Sequence, residues 1–423
     1  MTVSNSDRDA LRNLGSQIAE IAALPVQQET IARWKALNGL QPMRPMVMID
    51  QIPWHEMNVD GELDLRSEDS WCRGVETQLR RTLYKWRHMP GDMVVEPVVE
   101  VGKVVRSADF GMETREERAI LDPANAVVGH LYLDQLKTED DLAKMRAPCP
   151  ELDVEATARA EERAHSVFDG VLQIKMQGVL PTFAAWDRLV TWHGVEGVLM
   201  DIIDRPEFTH QLIGRFTEVS LSLLDQLEDK GLLGWGQGLI HCTGAYSEEL
   251  PAAGFDADKP RTKDLWTCGM AQIFSSVSPA MHKEFWLDYA VHWFERFGLG
   301  YYGCCEPLHH KVELIRAVPN VRKISMSPFA DIEAGAEAIG GDYVFSRKPN
   351  PALLAVDTWD VEAVEHELRG TLEACERHGC PLELILKDIS TVRYEPQRLW
   401  EWSEIASQLV SAPVGHTAAT AVP

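Results

Sequence analysis

The sequence predicts an α/β protein built as a (β/α)8 TIM barrel. Short apolar runs alternate with amphipathic helical stretches along most of the chain, which is typical of a parallel sheet. Several of these runs are followed at once by polar side chains, as happens at the carboxyl ends of barrel strands, where barrel enzymes hold their chemistry. No glycine-rich phosphate-binding pattern follows a strand, which disfavours a nucleotide or dinucleotide enzyme.

The elements follow in a clear order. Residues 6–40 are predicted to be helical because apolar residues recur there at three- and four-residue steps. Residues 46–50 form the first predicted strand. Residues 94–105 and 127–134 are predicted to be strands of an insertion before the barrel resumes. Residues 136–168 are predicted to run over the surface and then form a helix. The rhythm then becomes regular, with strands at 171–178, 234–241, 299–304, 321–326, 342–346 and 382–387 and helices at 194–230, 279–297, 307–317, 331–338 and 360–378. The predicted organisation is an N-terminal helical extension (1–40), a barrel (41–410) with an insertion at about 106–168, and a disordered tail (411–423).

Composition restricts the class of partner. The chain has 423 residues, 45% of them apolar, and a formal net charge of −24, which disfavours nucleic acid because phosphate binding needs clustered Lys and Arg. It contains no apolar run long enough to cross a membrane, and its first residues lack a basic start followed by an apolar core, so neither a membrane span nor a signal peptide is expected. Eight scattered cysteines predict reduced thiols and a cytoplasmic location, and homo-oligomer formation is left open.

The segment after the strand 299–304 is the most informative. Cys304, Cys305 and Glu306 are followed closely by two histidines, and thiolate and imidazole are the ligands that zinc prefers. Neighbouring residues on a strand point to opposite faces, so at most one of the two cysteines is expected to face a site. Free cysteines often only fill space in a core, and that alternative stays open. His241 and Cys242 end another apolar run, and a closed barrel would bring the two strand ends to one rim.

Further candidates lie at the ends of other runs. Lys387 and Asp388 follow the last predicted strand, Arg347 follows the strand before it, Gln177 ends the strand 171–178, and Glu56 comes shortly after the first strand. We predict catalytic roles for His241, Glu306 and Asp388, metal ligation by His241, Cys304 and Cys305, and substrate binding by Glu56, Gln177, Arg347 and Lys387.

From about residue 186 to 410 the chain resembles the uroporphyrinogen decarboxylase-like superfamily, which includes zinc-dependent corrinoid methyltransferases. The resemblance lies in the order and spacing of Trp186-Asp187-Arg188, Ser278-Pro279, Tyr302-Gly303-Cys304-Cys305-Glu306 and Ser346-Arg347-Lys348-Pro349-Asn350-Pro351. Cys304 stands at the cysteine of the family's His-x-Cys element, which favours it over Cys305 as a ligand. Tyr302 stands where the family has its histidine, and the family's later cysteine falls at Lys387-Asp388-Ile389-Ser390, which contains none.

The resemblance implies a methyltransferase that moves a methyl group from a small methylated substrate to a corrinoid (cobalamin) carrier on a separate partner protein, with zinc at a Cys/His site. No Asp-x-His-x-x-Gly cobalamin loop exists in the chain, so the corrinoid is expected on the partner. Two alternatives stay open. One is a cofactor-free decarboxylase-type lyase acting on a carboxylated substrate, and the other is a non-catalytic barrel-fold binder.

Overall fold

The computed structural model describes residues 3–120 and 128–412. The predicted disordered tail lies almost entirely outside these residues, as does the first residue of the strand predicted at 127–134. The strands are β1 (Met46–Ile49), β2 (Val98–Gly102), β3 (Val105–Arg106), β4 (Glu116–Ala119), β5 (Gly129–Tyr132), β6 (Glu151–Leu152), β7 (Gln173–Gln177), β8 (Leu239–Ile240), β9 (Thr243–Gly244), β10 (Trp266–Gly269), β11 (Leu299–Tyr302), β12 (Val321–Met326), β13 (Val344–Arg347) and β14 (Leu382–Leu386).

Six of these strands form one parallel sheet in the order β1-β14-β13-β12-β11-β10. Val47 pairs with Leu384 and Ser346 pairs with Glu383, while the pairing of β11 with β12 shifts its register between Gly300 and Tyr301. Because the strands are parallel, their carboxyl ends meet at one edge of the sheet. The α/β class is confirmed, and closure of the sheet into a (β/α)8 barrel stays a prediction.

The smaller strands lie outside this sheet. β2 pairs with β7 in parallel, while β3–β6, β4–β5 and β8–β9 are antiparallel pairs. The prediction of a sheet strand at 234–241 is wrong. Only Leu239 and Ile240 form a strand there, and they belong to a short antiparallel hairpin. Glycine weakens strands and permits close backbone approach. A Cβ on Gly234 would lie 2.5 Å from Gln177 Oε1, so only glycine fits at this position, where the chain packs against the end of β7.

The helices pack on the parallel sheet and on the β2–β7 pair. They are α1 (Asn5–Ala22), α2 (Pro25–Asn38), α3 (Ser70–His88), α4 (Val154–Phe168), α5 (Ala185–His193), α6 (Val195–Asp204), α7 (Pro206–Asp229), α8 (Pro279–His282), α9 (Asp288–Phe294), α10 (Val312–Ile315), α11 (Ile332–Ile339), α12 (Ala352–Ala355), α13 (Val361–His378) and α14 (Gln397–Ser411). A π-helical stretch, Lys283–Leu287, joins α8 to α9. None of the described helices combines the length and the apolar composition that a membrane span requires.

Local sequence explains several helix ends. Asp360 caps α13 by accepting a hydrogen bond from the Ala363 N–H, and Gly379 ends it at φ 68, a left-handed conformation that glycine adopts without strain. The helix predicted at 307–317 is much shorter, only Val312–Ile315. The residues before this helix, 303–311, stay in a loop. Within that loop the Glu306 carboxylate accepts a hydrogen bond from the backbone N–H of Cys304.

Both faces of the parallel sheet are buried, as expected when a sheet lies between other elements. Val47, Phe345 and Leu384 point to one face, where the large helices pack. Met48 and Ile385 point to the other face, which packs against α2 and the β8–β9 hairpin. The hairpin therefore lies against the sheet and not on the outside of the molecule, which brings its turn close to the strand ends.

Candidate functional site

Three chain segments meet at the carboxyl edge of the parallel sheet. Lys387 and Asp388 follow β14 directly, Cys304 and Cys305 come just after β11, and His241 lies in the turn between β8 and β9. The backbone of His241 has φ 53 and that of Asp388 has φ 57, conformations that residues other than glycine seldom adopt. Such strained positions persist only where the surrounding structure holds them, and they often occur at functional sites.

Cys304 lies at the centre of this group. Its Sγ is 2.9 Å from Lys387 Nζ, 3.2 Å from His241 Nε2 and 3.3 Å from Cys305 Sγ. Cys304 and Lys387 are almost fully buried, whereas His241 is exposed above them. We call these five residues, His241, Cys304, Cys305, Lys387 and Asp388, the thiol cluster.

The second thiol belongs to the same network. Cys305 Sγ lies 3.0 Å from Asp388 Oδ2, so its proton can be donated either to this carboxylate or to the sulfur of Cys304. Cys305 is half-buried and Asp388 is exposed, which places this side of the cluster towards solvent. Both cysteines of the pair thus face the cluster, whereas strand alternation predicts only one, because the chain has already left β11 and no longer alternates.

The contacts make the two thiols unequal. The hydrogen bond from Cys305, followed by His241 and the positive charge of Lys387, lowers the pKa of Cys304 far below that of an ordinary thiol, against the opposing effect of burial. The negative sulfur of Cys304, together with burial, raises the pKa of Cys305. Burial opposes a charge on Lys387, but the sulfurs of Cys242, Cys304 and Cys305 outweigh it and raise the pKa of this amine. The cluster therefore holds a Cys304 thiolate next to a Lys387 ammonium, the form in which a cysteine is a nucleophile.

Glu306, predicted to be catalytic, lies beneath this cluster. Its fully buried carboxylate accepts N–H groups from Cys304 at 2.8 Å and from Ala271 at 3.2 Å. Burial raises the pKa of Glu306. Sequence analysis missed Asp187, a half-buried residue in α5 that carries no strand-end signal. Burial, followed by the charges of Glu306 and Cys304, raises the pKa of Asp187 to about 7.

The predicted substrate-binding residues, apart from Lys387, are held by other contacts. The buried Glu56 carboxylate accepts hydrogen bonds from Thr391 Oγ1, from the Val392 N–H at 2.7 Å and from the Tyr394 N–H at 3.1 Å, so it fixes the loop after Asp388. Arg347 is nearly buried and bonds to the Ser327 carbonyl and to Glu367. The role of either residue in binding a substrate stays a prediction.

Gln177 lines an open cleft beside the hairpin. Two adjoining cavities of about 400 and 710 Å³ share Glu96, Glu100 and Lys175 in their walls, and Gln177 lines the smaller one. Leu239 and Gly244 of the hairpin also line this smaller cavity, while the turn of the same hairpin carries His241. The hairpin thus connects the cleft to the thiol cluster.

The thiol cluster does not fit a zinc ion in its observed arrangement. Zinc at its usual bond lengths in a tetrahedral site holds ligand atoms roughly 3.5–3.8 Å apart. The Nε2–Sγ distance of 3.2 Å and the Sγ–Sγ distance of 3.3 Å are shorter. Over residues 3–120 and 128–412, no three His, Cys, Asp or Glu side chains converge in a way that could hold a metal ion. The zinc ligation predicted for His241, Cys304 and Cys305 stays a prediction of the resemblance.

Comparison with known proteins supports the fold. No protein-family model matches the chain, and no curated protein sequence matches it significantly. Among solved structures, 23 chains are similar. One is a methyltransferase from Methanosarcina mazei, which aligns with a TM-score of 0.52 over 90% of this chain and 99% of that chain at 13% identity. The chain therefore shares the α/β fold of a methyltransferase over nearly its whole length, and at this identity the likeness concerns the fold alone.

Proposed function

We propose that the protein is a methyltransferase that moves a methyl group from a small methylated compound to the corrinoid of a separate carrier protein. The observation that carries the proposal is the Cys304 thiolate, held by Lys387 and by the exposed His241 at the carboxyl edge of a methyltransferase-like sheet. A thiolate is a strong nucleophile towards a methyl carbon.

In the first step the Cys304 sulfur attacks the methyl carbon of the substrate. A sulfur–carbon bond forms, the bond between the methyl carbon and its oxygen, nitrogen or sulfur breaks, and that leaving atom takes the electron pair. His241 is exposed above Cys304, so its imidazolium is placed to give the leaving atom a proton. Asp388, also exposed, lies beside Cys305 and completes the polar wall on the opposite side.

In the second step the sulfur–carbon bond would break and the methyl group would pass from Cys304 to the carrier, whose reduced corrinoid would supply the nucleophile. The electron pair of the sulfur–carbon bond returns to Cys304, which becomes a thiolate again. The Lys387 ammonium, 2.9 Å from this sulfur, stabilises the returning charge and makes the thiolate a better leaving group. We further propose that the sheet closes into a (β/α)8 barrel, with the carrier docking over its mouth and Gln177, Glu56 and Arg347 contributing to the substrate region.

The proposal is tested with purified protein, a reduced methyl-accepting corrinoid and a panel of O-, N- and S-methyl compounds. We expect the absorbance of the methylated corrinoid to appear with at least one compound, and the Cys304→Ser variant to lose this activity. The control is Cys149→Ser, which removes an exposed cysteine outside the thiol cluster and should keep full activity. Mass spectrometry without the corrinoid should find one added methyl group on the peptide that contains Cys304.

Other outcomes would contradict the proposal. Release of carbon dioxide from a carboxylated compound without cobalt, in the absence of any methyl transfer, would establish the lyase instead. Full methyl transfer by Cys304→Ser would show that this thiolate is not the nucleophile. Binding of small molecules with no turnover in either assay would favour a non-catalytic binder.

A further inference from the structure

The ammonium of Lys387 lies among four atoms that commonly bind metals. Its Nζ is 2.9 Å from Cys304 Sγ, 3.4 Å from His241 Nε2, 3.4 Å from Asp388 Oδ2 and 3.9 Å from Cys305 Sγ. Two sulfurs, one imidazole nitrogen and one carboxylate oxygen therefore surround a single positive charge. This is the donor set of a zinc site, with an ammonium nitrogen between the donors.

The position of Lys387 is fixed by the fold. The residue directly follows β14, and its side chain is only 1% exposed, so the amine cannot turn away into solvent. An ammonium has three N–H donors, and Cys304 Sγ and Cys305 Sγ accept two of them, while Asp388 lies within ion-pair distance. The short distances from Cys304 Sγ to His241 Nε2 and to Cys305 Sγ are also those of hydrogen bonds and not those of ligands around a metal ion.

We propose that Lys387 takes the place of a metal ion in this protein, so that the Cys304 thiolate is held and used without zinc. The inference extends the proposed function, but it concerns how the site is held and can be tested without methyl transfer.

The first experiment measures metal content. The wild-type chain, Lys387→Cys and Lys387→Met are incubated with zinc, dialysed and analysed, and Co²⁺ is used as a coloured substitute. We expect the wild type and Lys387→Met to retain little metal. Lys387→Cys, which then offers three sulfurs and one imidazole, should hold about one ion per chain and show the absorption of cobalt bound by thiolates. Lys387→Met is the matched control, because it removes the charge without adding a ligand.

The second experiment measures the reactivity of the thiolate. Wild type, Lys387→Met and Lys387→Arg are treated with iodoacetamide over a series of pH values in the presence of a chelator, and the modification of the peptide that contains Cys304 is followed by mass spectrometry. Loss of the charge should move the pH at which modification reaches half its full rate upwards by about 1–3 units in Lys387→Met, whereas Lys387→Arg should stay close to the wild-type profile. Circular dichroism checks that each variant is folded.

Three results would overturn the inference. They are stoichiometric zinc in the wild type, failure of folded Lys387→Cys to bind either metal, and a pH profile of Cys304 modification in Lys387→Met that matches the wild type. A wild type that behaves as expected here but transfers no methyl group would leave the inference standing and would refute only the proposed reaction.

Discussion

Replacement of Lys323 by methionine should strongly destabilise the protein. Lys323 lies in the middle of β12, and its Nζ contacts Glu383 Oε2 at 2.7 Å, Thr243 Oγ1 at 3.1 Å and the Gly244 carbonyl at 2.9 Å. The side chains of Lys323 and Glu383 are fully buried. The amine therefore joins two strands of the sheet to the hairpin that carries His241.

Removal of one partner of a buried ion pair leaves the other charge without compensation, which costs about 3–5 kcal/mol. Glu383 would keep hydrogen bonds from Thr243 at 2.7 Å and Ser346 at 2.5 Å, so we expect the lower part of this range, about 3 kcal/mol. The double variant Lys323→Met, Glu383→Leu removes both charges, and its loss should be well below the sum of the two single losses. The hairpin also loses a contact to the sheet, so methyl transfer by Lys323→Met should fall even where the chain is folded.

The free energy of unfolding is measured by urea titration with tryptophan fluorescence. Two of the chain's 13 tryptophans lie near this amine, since Lys323 Nζ is 5.1 Å from the centre of the Trp34 ring and 5.9 Å from that of Trp266. Lys283→Met is the matched control, because Lys283 forms an exposed pair with Asp288 and its loss should cost about 1 kcal/mol or less. A loss below about 1 kcal/mol in Lys323→Met, or additive losses in the double variant, would refute the reasoning.

Three further predictions concern the site. His241→Gly and His241→Ala should both lose the proposed methyl transfer. The glycine variant should be more stable than the alanine variant by about 1 kcal/mol in urea, because a φ of 53 strains alanine and not glycine. Equal stability of the two variants would contradict this. Glu56→Ala should free the loop after Asp388, and trypsin should then cut after the exposed Arg393 much faster than in wild type, as peptide mass spectrometry would detect. Asp187 has a pKa raised to about 7, so the folded state binds its proton more tightly than the unfolded state and loses stability as the pH rises from about 4 to 7. Asp187→Asn should therefore match wild type near pH 4 and exceed its stability by about 1–3 kcal/mol at pH 8, and an unchanged difference across this range would refute the raised pKa.

Much of the central sheet could be predicted from local sequence. The apolar runs at 46–50, 321–326 and 382–387 correspond closely to β1, β12 and β14, because a strand buried on both faces needs an uninterrupted apolar run. The strand Trp266–Gly269 was missed, since its four residues include Thr267 and Cys268 and end in glycine. Helices α3 and α14 were also missed, because polar and aromatic residues interrupt their apolar spacing.

Charged residues inside apolar runs were a signal that sequence reasoning left unused. Lys323 and Glu383 each interrupt a buried strand, and such residues are rarely buried unless they are paired. Their pairing could not be read from the chain, since the two residues lie 60 positions apart and come together only through the order of strands in the sheet.

The sequence by itself determined which chemical groups reach the carboxyl edge of the sheet. Cys304, Cys305, Lys387 and Asp388 follow apolar runs that become parallel strands, and parallel strands end at one edge, whereas His241 follows an apolar run that becomes an antiparallel hairpin. Only the tertiary structure decided their roles. The hairpin turn brings His241 onto Cys304, the loop after β11 turns both cysteines to one side, and the end of β14 places the Lys387 amine between the donors. Alternation along a strand fixes the face of the sheet on which a side chain lies. The contacts that the side chain makes depend on other elements, 63 to 146 residues away in the chain, that pack against that face.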